Sequence, residues 1–452
     1  MNPIAKRTSS RLPHEARTVF RETLLPLTLA HATKNSQFYS TQLGERVSGI
    51  KRVEDLAKLP LLFKEDILQN FGRFHCGIQP PALIQHTTGT TGHPLQILRS
   101  FAEIAFIRSF FNDVVVDDTT SPAPIILHLA DLYHGSPLGI PSRCYTIPAG
   151  VTDDILMSNT VRLLKQKHQL TGFEDHISVI TGLVPYIKTL TAYLIDSGFD
   201  FSAVKIRTII PLCTIITPRW RKVLKETWNA NVVDRYSLSE IFGGGTLCLE
   251  CSNYHFDPTV VAEVVDPVTL EVIRSGVGVL VLTSLYPFVQ QQPMIRYFTG
   301  DLVEANASSC QPDTSVRFKG RLANACSVKF GTTQRFLILP VDLYEVLDDF
   351  PDIACSERFT DLKDLRDHSS AGSLKFQFCC ETDNGRPVLS LKLELKYNAN
   401  LYPERALSLR NAITSEILHK CSDFRQAFQT QQVSFDVQFV PPGSLLSSPL
   451  KV

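Results

Sequence analysis

The spacing of apolar positions changes character several times along the chain. Over residues 17–72 the apolar positions Phe20, Leu24, Leu27 and Ala30 recur at helical intervals, which predicts a mostly helical start. Pro26 falls inside that run. Proline lacks an amide hydrogen and crowds the preceding turn, so a kink or a break into two shorter helices is expected there. The stretch Leu56-Ala57-Lys58-Leu59-Pro60 then interrupts the pattern before Lys64-Glu65-Asp66. From Ile84 onward, short apolar runs alternate with helical ones. Residues 124–128, 177–180 and 206–212 read as strands, and 159–167, 184–197 and 218–229 as helices, the last with proline in its first turn. Residues 277–285, flanked by Gly276 and Pro287, read as a buried strand. Such alternation predicts α/β layers with largely parallel sheets.

The pattern changes again after Gly320-Arg321. Residues 336–339, 374–378, 388–397 and 433–440 have strand character, with helices expected near 341–347 and 403–419. That is a compact α+β unit of ordinary domain size. A chain of 452 residues is too long for one ordinary core. The expected organisation is a large N-terminal α/β domain of layered sheets and helices, residues 1–319, and a small mobile C-terminal α+β domain, residues 320–452.

Composition narrows the class of function. Lys and Arg together number 45, equal to Asp and Glu, so no electrostatic footprint for nucleic acid or an anionic membrane exists. The most apolar stretch, 277–289, is interrupted by Thr283, Ser284 and Pro287 and is too short to span a bilayer. Residues 1–17 carry Lys6, Arg7, Arg11 and Arg17 without an apolar segment, so no secretory signal is expected and the cytoplasm is the expected compartment. Eleven scattered cysteines fit buried, reduced thiols there. Cys248-x-x-Cys251-x-x-x-His255 has metal-ligand spacing, and Cys310 is the nearest downstream fourth donor. A structural Zn2+ site and ordinary core thiols are both compatible with that spacing.

The candidate chemistry is carried by four segments in order. Thr87-Thr88-Gly89-Thr90-Thr91-Gly92-His93-Pro94 lies between two apolar runs, and its glycines leave successive amides free to cradle an anion. It has no lysine and is not the Walker-type loop. Asp234-Arg235-Tyr236-Ser237-Leu238-Ser239-Glu240 follows a strand-like run and offers an aromatic face, a hydroxyl and a carboxylate. Ile295-Arg296-Tyr297-Phe298-Thr299-Gly300-Asp301-Leu302 and Phe318-Lys319-Gly320-Arg321 complete the set. A phosphate loop, a stacking aromatic, a metal-capable Glu, a ribose-capable Asp and a phosphate-capable Arg together describe an ATP site. Each residue also has a plainer reading: Tyr236 as a core tyrosine, Glu240 as a helix-end charge, Asp301 as a turn residue, Arg321 as an ion-pair partner.

This ordered set resembles the adenylate-forming superfamily of acyl-CoA synthetases, and most closely its phenylacetate-CoA ligase branch. The segments "EDLAKLPLLFKEDI", "VLVLTSLYPFVQQQPMIRYFTGDL" and "VPPGSL" extend the likeness from about residue 20 to the C-terminus. The resemblance implies that Thr87, Thr88, Gly89, Thr90, Thr91 and Gly92 wrap the β- and γ-phosphates. It implies that Tyr236 stacks on adenine, Ser239 contacts the α-phosphate and Glu240 holds Mg2+. Asp301 would accept from the ribose hydroxyls, with Arg321 near ribose and phosphate. The implied activity joins ATP, a carboxylic acid and coenzyme A, through an acyl-AMP, into a thioester. Tyr133, His134, Phe242, Gly243 and Gly244 fall where relatives line the acyl pocket, and the branch suggests an aromatic or short apolar acid.

Four departures from the family pattern leave alternatives open. The family's catalytic lysine aligns with the penultimate residue, Lys451, in an altered context. Ala323-Asn324 stand where an Asp pair is usual, His93 where lysine is common, and Cys213-Thr214 near a missing glycine. A carrier-protein thiol or an amine is therefore an alternative acyl acceptor, and an inactive nucleotide-binding relative an alternative class. The particular acid and the choice between monomer and homodimer stay open.

Overall fold

The computed structural model describes residues 14–87, 93–115, 122–129, 144–212, 214–306, 314–330, 333–355, 372, 374–383 and 386–445. The first described element is a helix, His14–Asn35, that continues through Pro26. The expected break is absent. Proline removes one helical hydrogen bond, but Leu24, Leu25, Leu29 and Ala32 bury one face on both sides of it, and that packing holds the helix together. The buried stripe is also displaced from the expected one: Leu27 is exposed, and Thr28 points inward to donate to Leu24 O at 2.8 Å.

Two strands, β1 (Leu83–His86) and β2 (Gln96–Arg99), pair antiparallel on either side of the threonine–glycine stretch. Next come β3 (Ala123–Leu129), β4 (Tyr145–Ala149), β5 (Phe173–Leu183), β6 (Thr208–Leu212) and β7 (Asn231–Val232). They form a parallel sheet in the order β4-β3-β5-β6-β7. Helices Asp154–Lys165, Val184–Asp196 and Pro218–Trp228 supply the crossovers that parallel pairing requires. The Asp153 carboxylate accepts from the amides of Ile155 and Leu156, and Thr217 caps the helix that opens with Pro218. Ile125, Leu127, Ile180, Leu190, Trp220 and Leu224 are buried where these helices meet the sheet.

A second sheet is antiparallel throughout. It contains β8 (Arg235–Tyr236), β9 (Gly245–Leu247), β10 (Tyr254–Phe256), β11 (Val260–Val265), β12 (Gly276–Ser284), β13 (Tyr297–Asn306) and β14 (Ser315–Arg321). Their order is β11-β12-β13-β14-β10-β9-β8. The expectation of largely parallel sheets therefore holds for one sheet and fails for this one. Most of its successive strands are joined by links too short for a crossover, so they return antiparallel.

Downstream of Arg321, β15 (Cys326–Phe330) and β16 (Thr333–Ile338) form a hairpin. Strands β17 (Phe376–Asp383) and β18 (Arg386–Glu394) pair antiparallel, and β19 (Ser434–Val440) adds parallel to β18. Helices Pro340–Asp348, Pro403–Lys420 and Ser422–Gln429 close one core over them, with Leu343, Leu347, Leu391, Ile413, Ile417 and Phe424 buried in it. The architecture is thus a large layered α/β part followed by a small α+β part. Among the described residues no helix is long and apolar enough to cross a membrane.

Candidate active site

Antiparallel pairing of β13 with β14 sets Asp301 directly opposite Arg321. Arg321 Nε lies 3.1 Å from Asp301 Oδ1, and its Nη1 donates to Thr299 O at 2.7 Å. Asp301 N donates to Thr299 Oγ1 at 3.1 Å, so Thr299 serves both partners. The other carboxylate oxygen of Asp301 accepts from Tyr236 Oη at 2.7 Å. The Tyr236 ring stacks on Phe318, with centroids 4.1 Å apart and planes 25° apart.

Electrostatics keep Tyr236 and Arg321 protonated. Burial, and then the Asp301 carboxylate, push the Tyr236 phenol well above its ordinary range, so it stays a donor. Burial works against the charge on Arg321, yet Asp301 together with Tyr236, Glu240 and Tyr297 outweighs it and raises the guanidinium. A carboxylate has about four lone-pair sites. Tyr236 and Arg321 each take one oxygen of Asp301.

Glu240 lies a short turn after Tyr236. Its Oε1 accepts from Tyr297 Oη at 3.2 Å. Burial, and then Glu240 itself, raise the Tyr297 phenol, so this donor is also permanent. The backbone beside Glu240 is tied from another direction, because Arg99 Nη2 donates to Ser239 O. Arg99 sits at the end of β2 with Glu103 3.8 Å away; Glu103 Oε1 in turn accepts from the amides of Gln290 and Gln291 at 2.7 and 3.2 Å. Burial lowers the Arg99 guanidinium below its ordinary value, opposed by Glu103 and Glu240. Sequence reasoning missed Arg99 and gave Tyr297 and Phe318 no role. No local signal marks them, since each acts on a residue far away in sequence.

The glycines after Glu240 serve the fold. A Cβ on Gly244 would lie 2.0 Å from Tyr236 O, and one on Gly243, which has φ of +93°, would lie 2.5 Å from Thr259 Oγ1. Gly244 permits a close approach to β8, where Tyr236 sits, and Gly243 one to Thr259. Phe242 is buried and stacks on Phe288, with centroids 5.2 Å apart, so its ring belongs to the core. Gly244→Ala is expected to lower stability by about 1–3 kcal/mol, because a methyl forced against backbone must displace a strand. Urea unfolding beside Gly49→Ala, where nothing lies within 4 Å, checks this.

The structure therefore brings together Tyr236, Asp301 and Arg321, and sets Glu240 against Tyr297. Ser239 is exposed beside them. Thr87 closes its own loop: its amide donates to Leu95 O at 3.0 Å and its hydroxyl accepts from Leu95 N at 2.8 Å. Cys248, Cys251 and His255 also converge, their donor atoms all within 4.8 Å of one another. Thr88, Gly89, Thr90, Thr91, Gly92, Tyr133, His134, Cys310 and Lys451 lie outside the described residues.

Comparison with known proteins gives a consistent picture. No family model matches the chain. It is 26% identical over 298 residues to a phenylacetate-coenzyme A ligase of Pseudomonas putida, covering 63% of this chain and 65% of that protein. It is 26% identical over 325 residues to the namesake from Thermus thermophilus, covering 66% and 68%. The matched stretch thus spans about two thirds of these relatives. In structure, a 2-hydroxyisobutyryl-CoA ligase in its postadenylation state superposes with a TM-score of 0.67 at 16% identity, covering 99% of this chain and 90% of that one. On these grounds the chain has the fold of the adenylate-forming acyl-CoA synthetases and resembles, in sequence, their phenylacetate-coenzyme A ligase branch.

Proposed function

We propose that this chain is an ATP-dependent acid ligase that activates a carboxylic acid, aromatic or short and apolar, as its acyl-AMP and transfers the acyl group to coenzyme A. The observation that carries the reading is the Tyr236–Asp301–Arg321 cluster, with Glu240 held beside it. In this reading Asp301, fixed by Tyr236 and Arg321, accepts from the ribose hydroxyls, and the Tyr236 ring stacks on the adenine. Arg321, charged at any working pH, faces the sugar and phosphate. Ser239 and the threonine–glycine loop, Thr87 to Gly92, serve the phosphates.

A carboxylate is a poor electrophile because its leaving group would be oxide. Attack of its oxygen on the α-phosphorus of ATP forms a C–O–P linkage and expels pyrophosphate, leaving AMP as a good leaving group. The thiolate of coenzyme A then displaces AMP from the acyl carbon. The protein's part is positioning and neutralising a crowded polyanion. Glu240 fits Mg2+: it is an oxygen donor, partly exposed and oriented by Tyr297. When bound there, Mg2+ supplies positive charge beside the triphosphate.

Lys451 is assigned the cationic partner of the reacting carboxylate and α-phosphate. Lys451→Ala is expected to abolish acyl-adenylate formation while leaving thiolysis of added acyl-adenylate largely intact. Unchanged pyrophosphate release by that variant would remove Lys451 from the mechanism. We place the division of the two parts between residues 319 and 320, just before β14 ends its pairing with β13 at Arg321.

The reading is tested by ATP–pyrophosphate exchange over a panel of carboxylic acids, followed by loss of free coenzyme A thiol. Exchange without thiol loss points to a carrier-protein or amine acceptor. No exchange with any acid sinks the ligase reading.

A further inference from the structure

We propose that Cys248, Cys251 and His255 form a zinc-binding knuckle that braces the hairpin beneath Tyr236. The argument begins with the turn between β9 and β10. Leu247 and Tyr254 are its last strand pair. Beyond them Cys248 N donates to Asn253 O at 2.9 Å, and Ser252 N donates to Cys248 O at 2.9 Å. The chain reverses at Ser252, whose φ of +57° is left-handed, a conformation that a serine seldom adopts. That reversal folds the two residues between Cys248 and Cys251 back on themselves and turns both thiols toward the return strand.

His255 is the second residue of β10 and is buried. Its Nε2 lies 3.1 Å from Cys251 Sγ, and the three donor atoms are within 4.8 Å of one another. Zinc bound at about 2.3 Å from sulfur and 2.0 Å from nitrogen in a tetrahedron sets its donors about 3.5–3.8 Å apart. Small side-chain rotations close the observed triangle onto that size. Neither thiol is in a disulfide. Two thiolates and an imidazole select zinc over magnesium or calcium, which prefer oxygen, so this site is chemically distinct from Glu240. Among the described residues three protein donors meet here, which leaves the fourth position of the tetrahedron to a further ligand.

Register explains what the metal would do. Arg235, Thr246, His255 and Ser315 form one row across β8, β9, β10 and β14. The neighbouring row contains Tyr236, Gly245 and Phe256. Strands β8 to β10 have only two or three residues each, too few for a ladder to hold alone. A metal at the hairpin tip pins β9 to β10, which pairs in turn with β14, the strand that carries Phe318 and Arg321.

The test needs no turnover, so its outcome is separate from that of the ligase reading. Tag-free chain, purified without chelator, is analysed for metal content and then exchanged with Co2+. One zinc per chain and a thiolate-to-cobalt charge-transfer band are expected. Cys251→Ser and His255→Ala should each weaken binding by about tenfold or more, and Cys326→Ser should not. In the unmodified chain, Cys248 and Cys251 should be alkylated faster once zinc is removed; that measurement stands even where a variant fails to fold. Sub-stoichiometric zinc with no cobalt–thiolate band in reduced protein overturns the proposal. So does full zinc retention in folded Cys251→Ser.

Discussion

Asp301→Ala is expected to lower ATP–pyrophosphate exchange by about 100- to 1,000-fold and to cost about 3 kcal/mol of stability. Both effects follow from one geometry. The Asp301 carboxylate accepts from Tyr236 at 2.7 Å and pairs with Arg321 at 3.1 Å, with 11% of its side chain exposed. Removing it strands a partly buried phenol and a partly buried guanidinium, and takes away the acceptor assigned to the ribose. Asp301→Asn separates the two roles. An amide oxygen can still receive Tyr236 but carries no charge for Arg321, so this variant should retain more stability than Asp301→Ala while exchange stays low. Urea unfolding and exchange on the same preparations check the pair. Exchange at the unmodified rate in either variant would sink the assignment of Asp301.

Arg296→Ala should be the most destabilising substitution in the large part, costing about 3–5 kcal/mol, the usual loss when one member of a buried pair is removed. Arg296 Nε lies 3.1 Å from Glu263 Oε2, with side chains 4% and 9% exposed. Its Nη1 donates to Ala57 O at 3.3 Å and to Leu59 O. Its backbone oxygen accepts from Leu62 N at 2.9 Å, and Phe298 N donates to Leu62 O at 2.9 Å. One residue, held at a φ of +52°, thus fastens the 57–62 segment to β11 and to the start of β13.

The loss should also depend on pH. Burial already raises the Glu263 carboxyl, and Arg296 opposes that rise. Without Arg296 the folded-state value climbs further above the unfolded one. A group raised in this way contributes stability that is present at low pH and lost as pH rises through its folded value. The deficit of Arg296→Ala should therefore grow with pH above the ordinary glutamate range, and Glu263→Gln should flatten it. A pH-independent deficit, measured as urea midpoints across that range, would show that Glu263 is not the stranded partner.

Much of the architecture was legible because apolar runs report periodicity directly. The helices at Val184–Asp196, Pro218–Trp228 and Pro340–Asp348, and the buried strand Gly276–Ser284, fall where spacing predicts them. Pro26 misled because proline propensity is local, while the leucines that hold its helix are satisfied by distant packing. Leu27 misled for the same reason, since helical spacing does not say which stripe faces inward. Sheet direction was misread because strand character is the same in parallel and antiparallel pairing; only link length separates them.

The site divides along similar lines. From sequence alone came the residue types and their order: a loop of threonine and glycine, then Tyr236, Glu240, Asp301 and Arg321. Those are one-dimensional facts, and the chemistry of the proposed acid-activating site restricts them strongly. Tertiary structure decided how they meet. Tyr236 reaches Asp301, 65 residues away, because Asp301 stands opposite Arg321 in one ladder and Phe318 supports the ring. Arg99 and Tyr297 come to Glu240 from other segments, and Gly244 lets the chain close on Tyr236. Hydrogen-bond partners across such separations are chosen by packing and register, which depend on the whole fold and leave no local mark in the chain.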